Sequence, residues 1–458
     1  VHEEAESWRL DPLDPANPLV IGMGPFVGGR LIGVHRLVVV FRSPMTGGLH
    51  VSAMGGAAYK LMGAGIDAYV FIGRSPKPVA VFASQDGIEI RPVEPVYNYG
   101  GLKGVYAFTK RLYDDYRDFF ARNNARAIVV GPGAWRTYNG ALFSLDLTPK
   151  GEFAKGAEDV AARGGPGTVA AKAHNLAAVV AGGRAKVRYP QILDIHKIDG
   201  LARIKLKKNY LDALQEKTVK YRFDPGMGTG GTFGVNYVHY RDLIPLFGYK
   251  SIYMPREERI RHVDAILRLF WRPFNELVFE KARSWYNCGE PCPVACKKVW
   301  RGKKVDYEPF HAAGPFIGVY TFEDAVKIVD LVDAYGLDAI EMGHVTAWLF
   351  DAVQHDLLRP EELGLSGEPA FDPYSFNPEG DSPRNAKLAL ELVEGFIEGR
   401  TEVLRAAAEL GIRKAARRLE EMFPERVLRT GVRFRDLAVY VAYGDGGYMT
   451  PNFYWAPG

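Results

Sequence analysis

Cys288-Gly-Glu-Pro-Cys292-Pro-Val-Ala-Cys296 contains every cysteine of this 458-residue chain. Pro291 and Pro293 each remove a backbone donor and clash with the preceding turn, so the run is predicted to be a loop. Thiols gathered on such a loop point to a soft-ligand metal site. An iron–sulfur cluster commonly takes three cysteines close in sequence and a fourth from far away, and the sequence holds no fourth. Two other readings stand beside it. A disulfide would leave one cysteine over, and structural zinc would want a fourth ligand nearby, where the next histidine is His311. The C-x3-C-x3-C spacing differs from the C-x3-C-x2-C of radical-generating clusters.

Working outward, the composition bounds what such a loop can serve. The chain is long enough for two or three domains with a core that needs no staples. Lys and Arg number 58 against 54 Asp and Glu, a formal charge of +4. That excess makes no general field for nucleic acid, so small molecules or proteins are the expected partners. No apolar run approaches a membrane span, and Val1-His-Glu-Glu-Ala-Glu6 is acidic where a leader would be cationic. A cytoplasmic protein with reduced thiols is expected.

Apolar, β-branched runs bounded by Gly and Pro occur at Leu37–Phe41, Ala68–Ile72, Ala127–Val130 and Leu176–Ala181. They read as buried strands, with a helical pattern at Val105–Ala121 between them. Beyond a connector near Arg188-Tyr-Pro190 the period becomes helical, over 256–273, 321–335, 338–355, 385–398 and 402–422. Residues 360–384 read as a long loop. The expected fold class is α+β: an N-terminal mixed α/β two-sheet domain over 1–186, a mainly helical domain with the cysteine motif over 187–415, and the start of a further helical domain over 416–458.

Several motifs could carry chemistry. Gly22-Met-Gly24 and Gly131-Pro-Gly133 lack the third glycine of a dinucleotide fingerprint, and no Walker lysine pattern occurs. Paired glycines with an arginine nearby, at Ser52-Ala-Met-Gly55-Gly56 and Arg163-Gly164-Gly165, would suit a phosphate clamp, although taken alone each reads first as an ordinary tight turn. Thr321 is placed to cap a helix that Gly336 ends, and Asp338 with Glu341 makes a capping box for the next one. Asp333 stands in a last helical turn, where the dipole disfavours negative charge. A carboxylate there can receive the paired N–H donors of a pterin edge. Glu308, in Asp306-Tyr-Glu-Pro309, reads as a solvated loop residue unless burial near a reacting carbon makes it an acid/base. Glu341 and His344 have metal-ligand spacing on one helix face, but an ordinary surface or core-edge pair is the preferred reading.

Taken together, Gly24-Pro25, His35-Arg36, Arg42-Ser-Pro44, Ala53-Met-Gly-Gly56, Ala162-Arg-Gly-Gly-Pro-Gly167, Thr229-Gly-Gly-Thr-Phe-Gly234, the cysteine run, Asp306–Pro309 and Asp333-x-x-Gly-Leu-Asp338 form an ordered set. Across nearly the whole chain this set resembles the tungsten-dependent aldehyde ferredoxin oxidoreductase family, and most closely its branch acting on glyceraldehyde-3-phosphate. The resemblance implies that Arg36, Gly55, Gly56, Arg163 and Gly164 hold the phosphates of a paired pterin cofactor. It implies that Asp333 and Asp338 bind one pterin ring, that Cys288, Cys292 and Cys296 ligate a [4Fe–4S] cluster, and that Glu308 is the acidic group beside the metal. The implied cofactors are a tungsten or molybdenum bis-pyranopterin and the cluster, with magnesium bridging the pterin phosphates as a further expectation. The implied reaction oxidises glyceraldehyde-3-phosphate to 3-phosphoglycerate and passes the electrons to ferredoxin.

Against the family pattern, the chain is expected to lack an early strand-forming segment and a C-terminal part. That part would carry the fourth cluster cysteine and the second pterin motif, so a C-terminal companion polypeptide is an expected partner. Two competing readings remain: a different aldehyde as substrate, and a non-catalytic assembly subunit.

Overall fold

The computed structural model describes residues 1–186, 194–280, 288–290, 292 and 294–453. The connector at Arg188–Pro190 and the prolines at 291 and 293 lie outside the described residues.

Two sheets build the N-terminal half. The first is an antiparallel four-stranded sheet of β1 (Leu19–Met23), β2 (Leu37–Arg42), β3 (Leu49–Met54) and β4 (Ala68–Phe71), in the order β3-β2-β1-β4. Along β2 buried and half-buried residues alternate, as expected of a sheet with one face on the core. The second sheet contains β5 (Val79–Ser84) and β6 (Gly87–Pro92); β7 (Asn98–Tyr99) and β8 (Leu102–Lys103) form a separate short ribbon. The second sheet continues with β9 (Arg126–Val130), β10 (Leu142–Leu145), β11 (Asp159–Ala161) and β12 (Leu176–Ala181), in the order β11-β10-β9-β12-β5-β6. Its central strands β5, β9 and β12 are buried along their whole length, because both faces are covered. One face packs on the first sheet through Ile128, Val130 and Val179 against Leu37, Val39 and Phe41. The other packs Phe82, Val129 and Val180 on helices Gly104–Asp115 and Arg117–Asn123. The four predicted strands and the predicted helix are therefore present, the helix broken at Tyr116.

The remainder is mainly helical around one extensive core. Helix Arg256–Ile266 runs on through wider turns to Phe279, and Phe322–Tyr335, Ala339–Gln354 and Glu402–Met422 follow the predicted spans. A boundary between residues 415 and 416 would fall inside the last of these helices. The predicted loop 360–384 is shorter than expected, because helix Pro378–Glu398 starts within it. Asn377 caps that start by accepting the Glu379 N–H, and Pro378 occupies the first position, where a missing N–H costs nothing. The rest of the loop is packed down by buried Phe371 and Phe376. Asn385 ties it further, donating to the carbonyls of Ala370 at 2.8 Å and Ile317 at 3.2 Å. No helix among the described residues is long and apolar enough to cross a membrane.

Phe233, wholly buried, sits at the centre of an aromatic cluster: it stacks on Phe274 at 4.3 Å and meets Phe310 and Phe322 edge-on. Phe233→Ala should cost about 3–5 kcal/mol, read as a lowered midpoint in chemical denaturation.

Candidate cofactor site

The outer strands of the two sheets, β3 and β11, lie against one another in opposite directions. At one end of this seam Gly55, just past β3, donates its N–H to Asp159 at the start of β11, at 2.5 Å. At the other end Gly164, past β11, lies under the His50 ring at the start of β3. Both glycine motifs of the sequence thus stand at the two ends of one seam. Gly164 has φ +86°, and a Cβ there would come within 2.6 Å of the His50 ring, so the turn requires glycine.

The cysteine loop descends onto the Gly55 end. A Cβ on Gly55 would collide with the Cys288 sulfur, and one on Gly56 with the Cys288 carbonyl. These glycines therefore make room for the thiol loop. Arg126, 2% exposed at the start of β9, donates from Nη1 to the Cys288 carbonyl at 3.2 Å and from Nε to Ser144 at 2.7 Å. Arg36 reaches Asp159 at 3.3 Å and Glu290 of the cysteine loop at 3.5 Å, with 46% of its side chain still open to solvent.

A buried ionic network lies beneath. Lys297, directly after Cys296, bonds Asp306 at 2.9 Å and stands 3.7 Å from Asp159, and Lys304 stands 3.9 Å from Asp159. Burial alone would raise the Asp159 carboxyl, but Lys297, Lys304, Arg36 and the Gly55 N–H outweigh it and hold it well below the carboxylate range. Burial would lower Lys297, and Asp306 with Asp159 outweigh that and push it up. The thiols go the other way. Burial, then Asp159 and Glu290, pushes Cys288 up to about 12, and burial also raises Cys292 and Cys296.

At the Gly164 end, Arg163 donates from Nη1 to the carboxylate of Asp338 and to the Thr450 hydroxyl, each at 3.1 Å, and from Nη2 to the Thr450 carbonyl. Asp338 caps helix Ala339–Gln354 as predicted, accepting the N–H groups of Ile340 at 3.0 Å and Glu341 at 3.2 Å. Glu341 does not complete a capping box. Its wholly buried carboxylate instead accepts from the hydroxyls of Tyr138 at 2.5 Å, Tyr448 at 2.6 Å and Thr450 at 2.6 Å. Burial raises its pKa. In His344, Nδ1 donates to the Ile340 carbonyl at 2.9 Å and the ring stacks on Phe453. Thr321 is at the predicted N-cap, but its hydroxyl donates to Asp324 at 2.6 Å in place of capping.

Asp333 and Asp338 have different surroundings. Helix Phe322–Tyr335 ends at Gly336 as predicted, and it sets Asp333 near Glu158 and Lys304. No donor among the described residues hydrogen-bonds its carboxyl, and burial, then Glu158, pushes it up to about 7. Glu308, half-buried, is in the first turn of helix Tyr307–Ala312. That turn is held by Thr232 of the Gly-Gly-Thr-Phe-Gly motif, whose hydroxyl accepts the Tyr307 N–H at 3.1 Å. His311 is not available to zinc. Nδ1 faces the Tyr237 hydroxyl at 2.9 Å, Nε2 faces the Pro245 carbonyl at 2.7 Å, and burial pushes the ring down to about 3.

Sequence reasoning missed Asp159, Arg126, Lys297 and Thr450, although a lysine next to the last cysteine was a visible signal. The donor set suits an anionic cluster and phosphates. Three thiols free of disulfides stand beside cations, two of them half-buried. The buried Nε2 of His35, next to Arg36, finds no partner, while Nδ1 accepts from Gly28 N–H at 3.2 Å. Among the described residues, no three His, Cys, Asp or Glu side chains converge as a closed metal cage.

Two outcomes follow. Asp159→Asn should destabilise the protein by about 3–5 kcal/mol, because Lys297 and Arg36 lose a buried partner; urea denaturation measures it. The raised Asp333 pKa means the native state holds a proton that the unfolded state gives up first, so its contribution is present at low pH and fades as pH rises through about 7. Asp333→Asn should therefore raise the melting temperature relative to the parent more at pH 8 than at pH 5.

Comparison with known proteins places the chain in a family. The family model for the N-terminal domain of aldehyde ferredoxin oxidoreductase matches residues 1–183, and the one for its domains 2 and 3 matches 205–425. A glyceraldehyde-3-phosphate:ferredoxin oxidoreductase from Pyrococcus furiosus is 41% identical, over 99% of this chain and 71% of its own length. A tungsten-containing aldehyde ferredoxin oxidoreductase from Pyrococcus horikoshii is 24% identical, over 79% of this chain and 54% of its own length. Among solved structures, the active-site complex BamBC of benzoyl coenzyme A reductase shares the fold, with a TM-score of 0.60 at 18% identity over 93% of this chain and 60% of that one. With its two sheets, its glycine seam and its cysteine loop in one arrangement, the chain belongs to the aldehyde ferredoxin oxidoreductase family.

Proposed function

We propose that this chain is the cofactor-bearing part of a cytoplasmic enzyme that oxidises glyceraldehyde-3-phosphate to 3-phosphoglycerate, with ferredoxin as electron acceptor. The observation that carries the reading is the seam itself. Cys288 rests on Gly55–Gly56 beside Arg36 at one end, and Arg163 with Asp338 stands at the other. The phosphorylated substrate rests on the 41% identity to the Pyrococcus furiosus enzyme of that name.

In this reading Arg36 and Arg163 would take the phosphates of the pterin cofactor from the two ends of the seam, with Gly55, Gly56 and Gly164 leaving space for close approach, and magnesium would accompany the phosphates. Asp338 and Asp333 take pterin nitrogens. Asp333 near neutral pH can donate as well as accept, since its pKa lies at about 7. Cys288, Cys292 and Cys296 hold the [4Fe–4S] cluster. These three are the cysteines of residues 1–458, and the fourth ligand would come from outside the Cys288–Cys296 loop. When bound, the tungsten bis-pterin supplies a two-electron acceptor and the cluster an exit for single electrons. Oxidation of the aldehyde consumes one water and releases two protons with the two electrons. Glu308, held in its helical turn by Thr232, is the base that takes a proton from that water. The Glu341 carboxylate holds Thr450, which with Asp338 keeps the Arg163 fork aimed.

Protein expressed anaerobically with tungstate should retain tungsten and iron by elemental analysis. Cys292→Ser should lose the iron without unfolding. With a viologen acceptor, kcat/KM for glyceraldehyde-3-phosphate should exceed that for unphosphorylated aldehydes at least about tenfold, as loss of a charged contact implies. Equal values would point to another aldehyde, and absence of both metals would sink the enzyme reading. Glu308→Gln should lower kcat by about 10²–10⁴ with the metal content unchanged.

A further inference from the structure

Helices Ile195–Leu206 and Tyr210–Arg222 form a hairpin that the catalytic reading leaves unused. Residues 194–222 carry eight Lys and Arg against four Asp and Glu, a formal excess of four. That equals the +4 of the entire chain, so the remaining residues balance. Seven of the twelve residues of the first helix are exposed, and Ala202 is its one fully buried residue. Leu201, Ile204 and Leu206 are 63, 64 and 56% exposed, and Leu211 on the second helix is 60% exposed. Among the described residues, Lys197, Lys205 and Lys207 have no acidic partner. A polar helix that displays aliphatic side chains ringed by unpaired lysines has the composition of a protein contact surface.

Its position says what for. The second helix is anchored at its start by the Tyr210 hydroxyl, which accepts the Ile32 N–H at 2.7 Å, four residues before Arg36. At its end the Arg222 carbonyl lies against Gly230, and the neighbouring Gly231 packs on Lys298 and the Cys296 carbonyl. The helix therefore runs alongside the cysteine loop, from the Arg36 side to the Cys296 side. Most of the first helix also lies between the two regions that match the family models, 1–183 and 205–425.

We propose that the exposed face of this hairpin is the docking surface for an acidic electron-carrier protein, a ferredoxin of net negative charge. The inference rests on the cluster reading of the cysteines. Electron transfer falls steeply with distance, so a carrier must dock close to the thiol loop. The lysines steer an acidic partner to that place, and the aliphatic groups give the encounter a desolvated centre. Membrane association of a basic amphipathic helix is the competing chemistry, and nothing in it requires placement beside the cysteines.

The test uses the anaerobically purified holoprotein, a Lys197→Glu/Lys205→Glu/Lys207→Glu variant and a separate Leu201→Ser/Ile204→Ser variant. All these residues are solvent-exposed and outside the proposed cofactor machinery. Direct titration with an oxidised acidic ferredoxin at low ionic strength should show binding weakened about tenfold or more by the lysine variant. Added salt should weaken the parent and leave the variant little changed. The aliphatic variant should weaken binding with the salt dependence intact. Rates with a small viologen acceptor should not move in either variant. Unchanged ferredoxin affinity in both variants overturns the proposal, and so does binding to phosphatidylserine vesicles that both variants abolish while ferredoxin affinity stays the same. A parent protein without viologen-linked aldehyde oxidation refutes the enzyme reading by itself, since the titration reports docking without turnover.

Discussion

Asp159 is the point on which the site depends. Its carboxylate receives the Gly55 N–H from the edge of the first sheet, the Arg36 guanidinium from just before β2, and the field of Lys297 and Lys304 from beyond the cysteine loop. A buried carboxylate with a single cation would gain little over an apolar pair, because desolvation offsets the attraction. Here several cations and a backbone donor converge on one anion, and removing it would strand the others. The network thus orders three separate chain segments around the place where the thiols lie.

At the far end of the same seam the roles are reversed: a cation, Arg163, is held by anions and hydroxyls. Thr450 accepts from Arg163 and donates to Glu341, so the hydroxyl passes the constraint of a buried carboxylate to an arginine that is itself partly open. Tyr138 and Tyr448 satisfy the other oxygen of Glu341, and Tyr448 in turn accepts the Ile412 N–H. That last contact passes at the kink at Gly411, where a Cβ would lie 2.6 Å from the Tyr448 hydroxyl. Glu341 and Gly411 thus set the direction of a side chain they do not touch.

The two ends of the seam present guanidinium groups that are incompletely used by the protein, with glycine backbone between them. The thiols lie under one end, and the charged hairpin lies outside them. Phosphates, soft metal and an acidic protein would each meet the chemistry suited to it, in that order from the interior outward.

Much of this was legible along the chain. Buried β-branched runs were strands because the second sheet is covered on both faces, and the helical spans showed in their apolar period. Gly336 and Asp338 did locally what their residue types do. The polar, proline-containing stretch 360–384 was read as loop throughout, while Asn377 and Pro378 had already started the helix. The residues that only the folded chain could assign were those acting across long separations: Asp159 under Gly55, Arg126 on Cys288, Thr450 on Arg163, and Glu341 in its hydroxyl cage. A sequence determines local geometry and residue chemistry, so it announced the thiols, the glycines and the arginines. Which of them share one seam is decided by the packing of sheet edges and helices far apart in the chain, because electrostatic and hydrogen-bond partners are chosen by distance in space.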